Sequence, residues 1–152
     1  MQLSEKKRIF AVTIINLKIG GRNENYYLPY RAKTSSIREV YKSITGNYPD
    51  EEGDFNGTYQ HPEFGNIGFS SWGDPGANEE PLDEILQMNC DFVISACRSK
   101  GQTIEVVEKL ANKYNYQVYY VYLMHGERAD TKFHNIYIKS NAEAVMEIIK
   151  LI

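Results

Sequence analysis

Asp91-Phe-Val-Ile-Ser-Ala-Cys97, then Arg98-Ser-Lys-Gly-Gln102, then the run from Thr103 to Tyr114 decide the reading of the fold. The first stretch is a short apolar run with β-branched and aromatic residues, which predicts a buried strand. The second is polar and holds a glycine, which predicts a tight loop. In the third, Ile104, Val107, Leu110 and Ala111 recur at helical spacing, which predicts a helix over 103–114 with one apolar face. Tyr116 to His125 follows, with apolar or aromatic residues at successive positions. A strand covered on both faces reads this way, and a central strand is the expectation.

Working outward, Gly126 to Lys132 reads as a loop and Phe133 to Lys139 as a further strand. Ser140-Asn-Ala-Glu143 has the capping-box pattern and predicts the start of a terminal helix. Upstream, Pro81 suits the first turn of a helix over 81–88. Residues 46–81 hold four of the five prolines and most of the glycines, with short strands expected near 57–60 and 66–70. Ser36-Ile-Arg-Glu39 is a second capping box, for a helix over 36–45. Gly20-Gly21-Arg22-Asn23 is a turn signal between strands at 8–19 and 24–31, expected to pair as a hairpin. The expected architecture is one α+β domain over residues 1–152. Its mixed sheet carries helices mostly on one face, with a long Gly/Pro-rich acidic loop region, 46–81, in the middle.

The chain of 152 residues has a formal net charge of -3, and the charge is unevenly laid out. Residues 1–42 hold nine Lys/Arg and three Asp/Glu; residues 43–97 hold no Lys or Arg and eleven Asp/Glu; residues 98–152 hold eight and six. Such a layout makes a negative field that steers basic partners and repels nucleic acid. A nucleic-acid binder would want a basic domain, so that class ranks lowest. No apolar run approaches the ~20 residues that span a bilayer, and the first residues lack a signal-peptide pattern. With only Cys90 and Cys97, a reducing, cytoplasmic setting is the expectation.

The best-defined candidate site is an anion cradle at the start of the 103–114 helix. A helix N-terminus presents unpaired N–H groups and a partial positive charge. Gly101 lets backbone approach a ligand, Arg98 and Lys100 add charge, and Ser99, Gln102 and Thr103 add polar donors. If the 91–97 and 116–125 strands run parallel, His125 and Arg128 join that rim. The expected ligand is an anionic small molecule, a phosphate or a nucleotide. No Walker pattern and no three-glycine dinucleotide fingerprint is present, and no cofactor is expected. The competing reading is a capped helix start with solvated basic side chains.

Three further groups of residues carry side chains with possible chemistry. Glu52, Asp54, Asn56 and Glu63 fall at EF-hand-like spacing, but Pro62 and the sequence after it forbid the outgoing helix, so a turn-rich acidic loop is expected and no metal. His125 and His134 would face each other across a hairpin loop. Tyrosines cluster at Tyr26, Tyr27, Tyr30 and at Tyr114, Tyr116, Tyr119, Tyr120, Tyr122, as sheet formers or as a partner surface.

No complete catalytic constellation is visible; Cys97, bordering the basic loop, is the better nucleophile of the two thiols. The expectation is therefore a non-catalytic binding protein. The alternative is a protein-binding module, an inhibitor, immunity-type or phage accessory protein. It would meet a basic protein through Phe55, Phe64, Phe69 and Trp72 in the acidic segment. The 116–125 strand offers a face that a helix or a second subunit would cover.

Overall fold

The computed structural model describes the backbone of residues 7–17, 32–98, 101–126 and 131–151, and side chains within 7–12, 34–98, 101–121 and 135–151. Nine elements follow in chain order: β1 (Lys7–Leu17), α1 (Ala32–Thr45), β2 (Asn56–His61), β3 (Gly65–Ser70), α2 (Glu79–Gln87), β4 (Phe92–Ala96), α3 (Gln102–Tyr114), β5 (Tyr116–Gly126) and α4 (Thr131–Leu151). The strands form one mixed sheet in the order β2-β3-β4-β1-β5, with β3, β4, β1 and β5 parallel and β2 antiparallel to β3. This is a single-domain α+β fold, as the sequence implies. Among the described residues, no helix is long and apolar enough to cross a membrane.

The helices divide two and two rather than lying mostly on one face. Alternation along β1 shows why. Phe10 and Val12 point to one side, where Ile37, Val40 and Ile44 of α1 and Ala142, Val145 and Ile149 of α4 cover them. Ile9 and Ala11 point to the other, under Leu82, Ile85 and Leu86 of α2 and Val106, Val107, Leu110 and Ala111 of α3. A strand sandwiched this way must be apolar on both faces, which is why β1 alternates so poorly.

The same physics corrects the placement of β5. It is an edge strand, paired only with β1 among the described residues. Its faces are nevertheless covered: Tyr119 and Val121 pack with the α1/α4 layer, and Val118 and Tyr120 with the α2/α3 layer. Apolar residues on both faces report cover above and below, and say nothing about the edges.

Two other expectations change. β1 has β4 on one side and β5 on the other and is the hub of the sheet; the strand expected at 24–31, and with it the hairpin, lies outside the described residues. Phe133 to Lys139 is not a strand. Thr131–Leu151 is one helix, with Ser140 and Asn141 in its interior. Ile138, Ala142, Val145 and Ile149 are spaced by four, three and four, so the apolar stripe begins two residues before the supposed cap and carries the helix through it. Likewise α1 starts at Ala32 and Ser36 is buried within it.

The acidic middle segment is ordered around the β2–β3 hairpin. His61 holds its turn: Nδ1 accepts the N–H groups of Glu63 at 3.0 Å and Phe64 at 3.1 Å, and its ring stacks on Phe64. Gly65 then takes φ +79, where a Cβ would also run into the Asp91 carboxylate. That carboxylate instead accepts the Asn66 N–H at 2.7 Å, locking the hairpin to the start of β4.

Candidate functional site

The connections place the candidate site. The chain leaves β1 for α1 and β5 for α4 on one side of the sheet, and leaves β3 for α2 and β4 for α3 on the other. Adjacent strands β4 and β1 are thus the pair whose exits diverge to opposite faces. In open sheets of parallel strands, ligands bind in the crevice beyond the carboxyl ends at such a reversal. The connection after β4, which leads from Arg98 to Gln102 and Thr103, lies at this reversal.

That loop is built from its backbone up. The Cys97 N–H donates to the Val12 carbonyl at 2.9 Å, extending the β4–β1 ladder by one residue. The next N–H, that of Arg98, donates to Thr103 Oγ1 at 2.9 Å. Thr103 is fully buried, so its hydroxyl ties the strand end to the helix start. Gly101, at φ +90, turns the chain into α3, and its carbonyl accepts the N–H groups of Ile104 and Glu105 at 3.2 and 3.3 Å. The N–H groups of Gln102 and Thr103, ahead of these in the first turn, have no acceptor within the helix. Asn78, at the head of α2 and fully buried, donates from Nδ2 to the Thr103 carbonyl at 3.3 Å, joining the starts of the two helices.

Charge at the crevice comes from Arg98, whose half-exposed guanidinium stands 3.3 Å from Asp74 in the loop after β3. Further along the same edge, Asp54 Oδ1 accepts the hydroxyls of Thr34 at 2.6 Å and Ser71 at 2.9 Å. Sequence reading missed Asp74 and gave Asp54 only an EF-hand-like place, because their partners here are distant in the chain.

The other proposed members divide clearly. Arg98, Gly101, Gln102 and Thr103 come together at the head of α3. His125 lies near the end of β5, which does run parallel to β4, but β1 stands between the two. The side chains of Ser99, Lys100, His125 and Arg128 lie outside the described residues. So does that of His134, whose backbone belongs to α4, so the histidine-bearing hairpin does not form.

Three of the four aromatic residues assigned to a partner surface are packing residues. Phe55 and Phe69 are buried and stack on each other beneath Tyr41, and Phe64 packs half-buried on Phe92. Only Trp72 of the four is exposed, at 37%. β2 and β3 join the sheet, so their inward residues enter the core under α1.

The EF-hand-like spacing dissolves for the same reason. β2 is extended from Asn56 to His61, which carries Glu63 to the far end of the hairpin from Asp54. Asn56 Nδ2 donates to the Pro81 carbonyl instead. No cluster of three metal-ligating side chains occurs among the described residues.

Both thiols are buried in the α2/α3 layer. Burial, with the Asp91 charge adding to it, pushes the Cys90 thiol above its ordinary range. Tyrosine hydroxyls are spent on structure: Tyr116 donates to the Cys90 carbonyl at 2.8 Å, Tyr114 to Asp83 at 2.6 Å, and Tyr120 to Glu108. Comparison with family models, with curated proteins and with solved structures gave no match to this chain.

Proposed function

We propose that the protein is a small-ligand binding protein that takes an anion, a phosphate or the phosphate of a nucleotide, at the carboxyl ends of β4 and β1. One observation carries the reading: the crossover reversal between β4 and β1 falls at the loop that ends in the N-terminus of α3 and carries Arg98. Oriented N–H groups at a helix start favour an anion by about 0.3–1 kcal/mol, and a guanidinium adds charge-assisted hydrogen bonds. Arg98 is free to turn, since exposed pairs such as Arg98–Asp74 hold by only about 0–1 kcal/mol. No catalytic base or nucleophile is assigned; the role is binding.

The test is calorimetric titration with inorganic phosphate and with nucleoside mono- and diphosphates. Arg98→Ala combined with Lys100→Ala abolishes binding and leaves the melting temperature within a few degrees. Unchanged affinity in that double variant, or a flat titration across the panel, refutes the reading.

A further inference from the structure

A second site stands apart from the carboxyl edge. The end of α1, the loop after it and β2 line an open pocket of about 490 Å³, formed by Tyr41, Thr45, Asn47, Tyr48, Asp50 and Tyr59. Each ring is held by a separate anchor. Tyr41 packs edge-on against Phe55 and Phe69, with ring centres 5.4 and 5.0 Å away. Tyr59 rests on the same core layer. Tyr48 donates its hydroxyl to Glu39 and is 46% exposed. Thr45 Oγ1 stands 2.9 Å from both the Tyr41 and Asn47 carbonyls, so its one proton serves either of them, and it fixes the turn that carries Asn47 and Tyr48.

None of the residues lining this pocket carries a positive charge. Aromatic faces are negative, and the last carbonyls of α1 carry its negative dipole end. Asp50 has no ion pair or hydrogen bond among the described residues. Every lining residue except Tyr41 comes from the 55-residue stretch without Lys or Arg. A cation already uses one wall: the Lys42 ammonium lies 4.4 Å from the centre of the Tyr48 ring. Lys42 is exposed, so an incoming cation displaces it at small cost.

We propose that this pocket binds an organic ammonium ion, a quaternary or alkylated amine, with the tyrosine faces around its methyl groups and Asp50 as counter-charge. Aromatic walls with one carboxylate suit such a weakly hydrated cation better than a metal ion or an anion. Two sources share that chemistry, a free amine and an alkylated lysine side chain of a peptide.

The experiment is calorimetric titration of the full chain with choline, with its neutral isostere bearing a tert-butyl group, and with a short peptide carrying trimethyllysine. Choline binds, and the neutral isostere binds about tenfold more weakly, because the cation–π contribution is lost. Tyr48→Leu weakens choline about tenfold at unchanged melting temperature, the ring being surface-exposed. Lys42→Gln tightens it, by removing a competing like charge. Arg98→Ala leaves it unchanged, which separates this pocket from the anion site. Tighter binding of the peptide than of choline identifies an alkylated lysine as the ligand; equal or weaker binding identifies a free amine. Equal affinity for choline and the neutral isostere overturns the proposal, as does the absence of binding in both the wild type and Lys42→Gln.

Discussion

The Arg98 guanidinium and the Asp74 carboxylate, 3.3 Å apart, join the loop after β4 to the loop after β3 across the carboxyl edge of the sheet. Both groups are partly exposed, so the pair contributes about 0–1 kcal/mol to stability. Its larger consequence is on ligand binding, because Asp74 competes with an anion for the same guanidinium. Asp74→Asn therefore raises phosphate affinity severalfold, and Arg98→Ala lowers it. Thermal melts of both variants stay close to wild type, and calorimetry separates them.

The Thr103 hydroxyl is a positional requirement of the loop. It is buried and accepts the Arg98 N–H. Thr103→Val leaves that N–H unsatisfied and costs about 1–3 kcal/mol, while Thr103→Ser keeps the acceptor and costs less. Urea titrations of the two variants read the difference as a shift in midpoint at constant slope.

The aromatic residues of the acidic segment separate by burial. Phe69→Ala removes a fully buried ring that stacks on Phe55 and Tyr41, and costs about 3–5 kcal/mol. Trp72→Ala, at a residue with 37% of its surface exposed, costs less, about 1–2 kcal/mol. Comparable losses in the two variants would show that the segment does not pack as described.

Tyr116 gives the fold an alkaline limit. Burial of its ring, with the nearby Cys90 and Asp91 adding to the effect, pushes the hydroxyl up to about 12 from the ordinary value near 10. The folded chain thus holds this proton where the unfolded chain has released it. The contribution is full below about pH 10 and is lost as pH rises from about 10 through 12. Tyr116→Phe removes this dependence. It also leaves the Cys90 carbonyl without its 2.8 Å donor, costing about 1 kcal/mol at neutral pH. Denaturation midpoints measured from pH 8 to 12 give the two slopes.

Much of the candidate site was readable before any coordinates, because it is local. The strand ending at Ala96, the glycine at 101 and the helix opening at Gln102 are neighbours in sequence, and their propensities agree. The partners that shape the crevice were not readable: Asp74 and Asn78 meet Arg98 and Thr103 across about 25 residues. The tyrosine pocket was invisible for the same reason, since it joins the end of α1 to an edge strand.

From the sequence alone came the strand–loop–helix–strand order over 91–125, the short strands near 57–60 and 66–70, and the base-free middle segment. Each rests on short-range periodicity, turn chemistry or counting. Only the tertiary structure decided that β1 lies between β4 and β5, that helices cover both faces, and that β5 is an edge. It also decided that residues from Thr131 onward form one helix, although Phe133 to Ile138 favours a strand locally. The physical reason is that residue patterns record which faces are covered, whereas strand order and helix layering follow from which elements bury one another's apolar faces. Those choices are made between segments tens of residues apart, where no local pattern reaches.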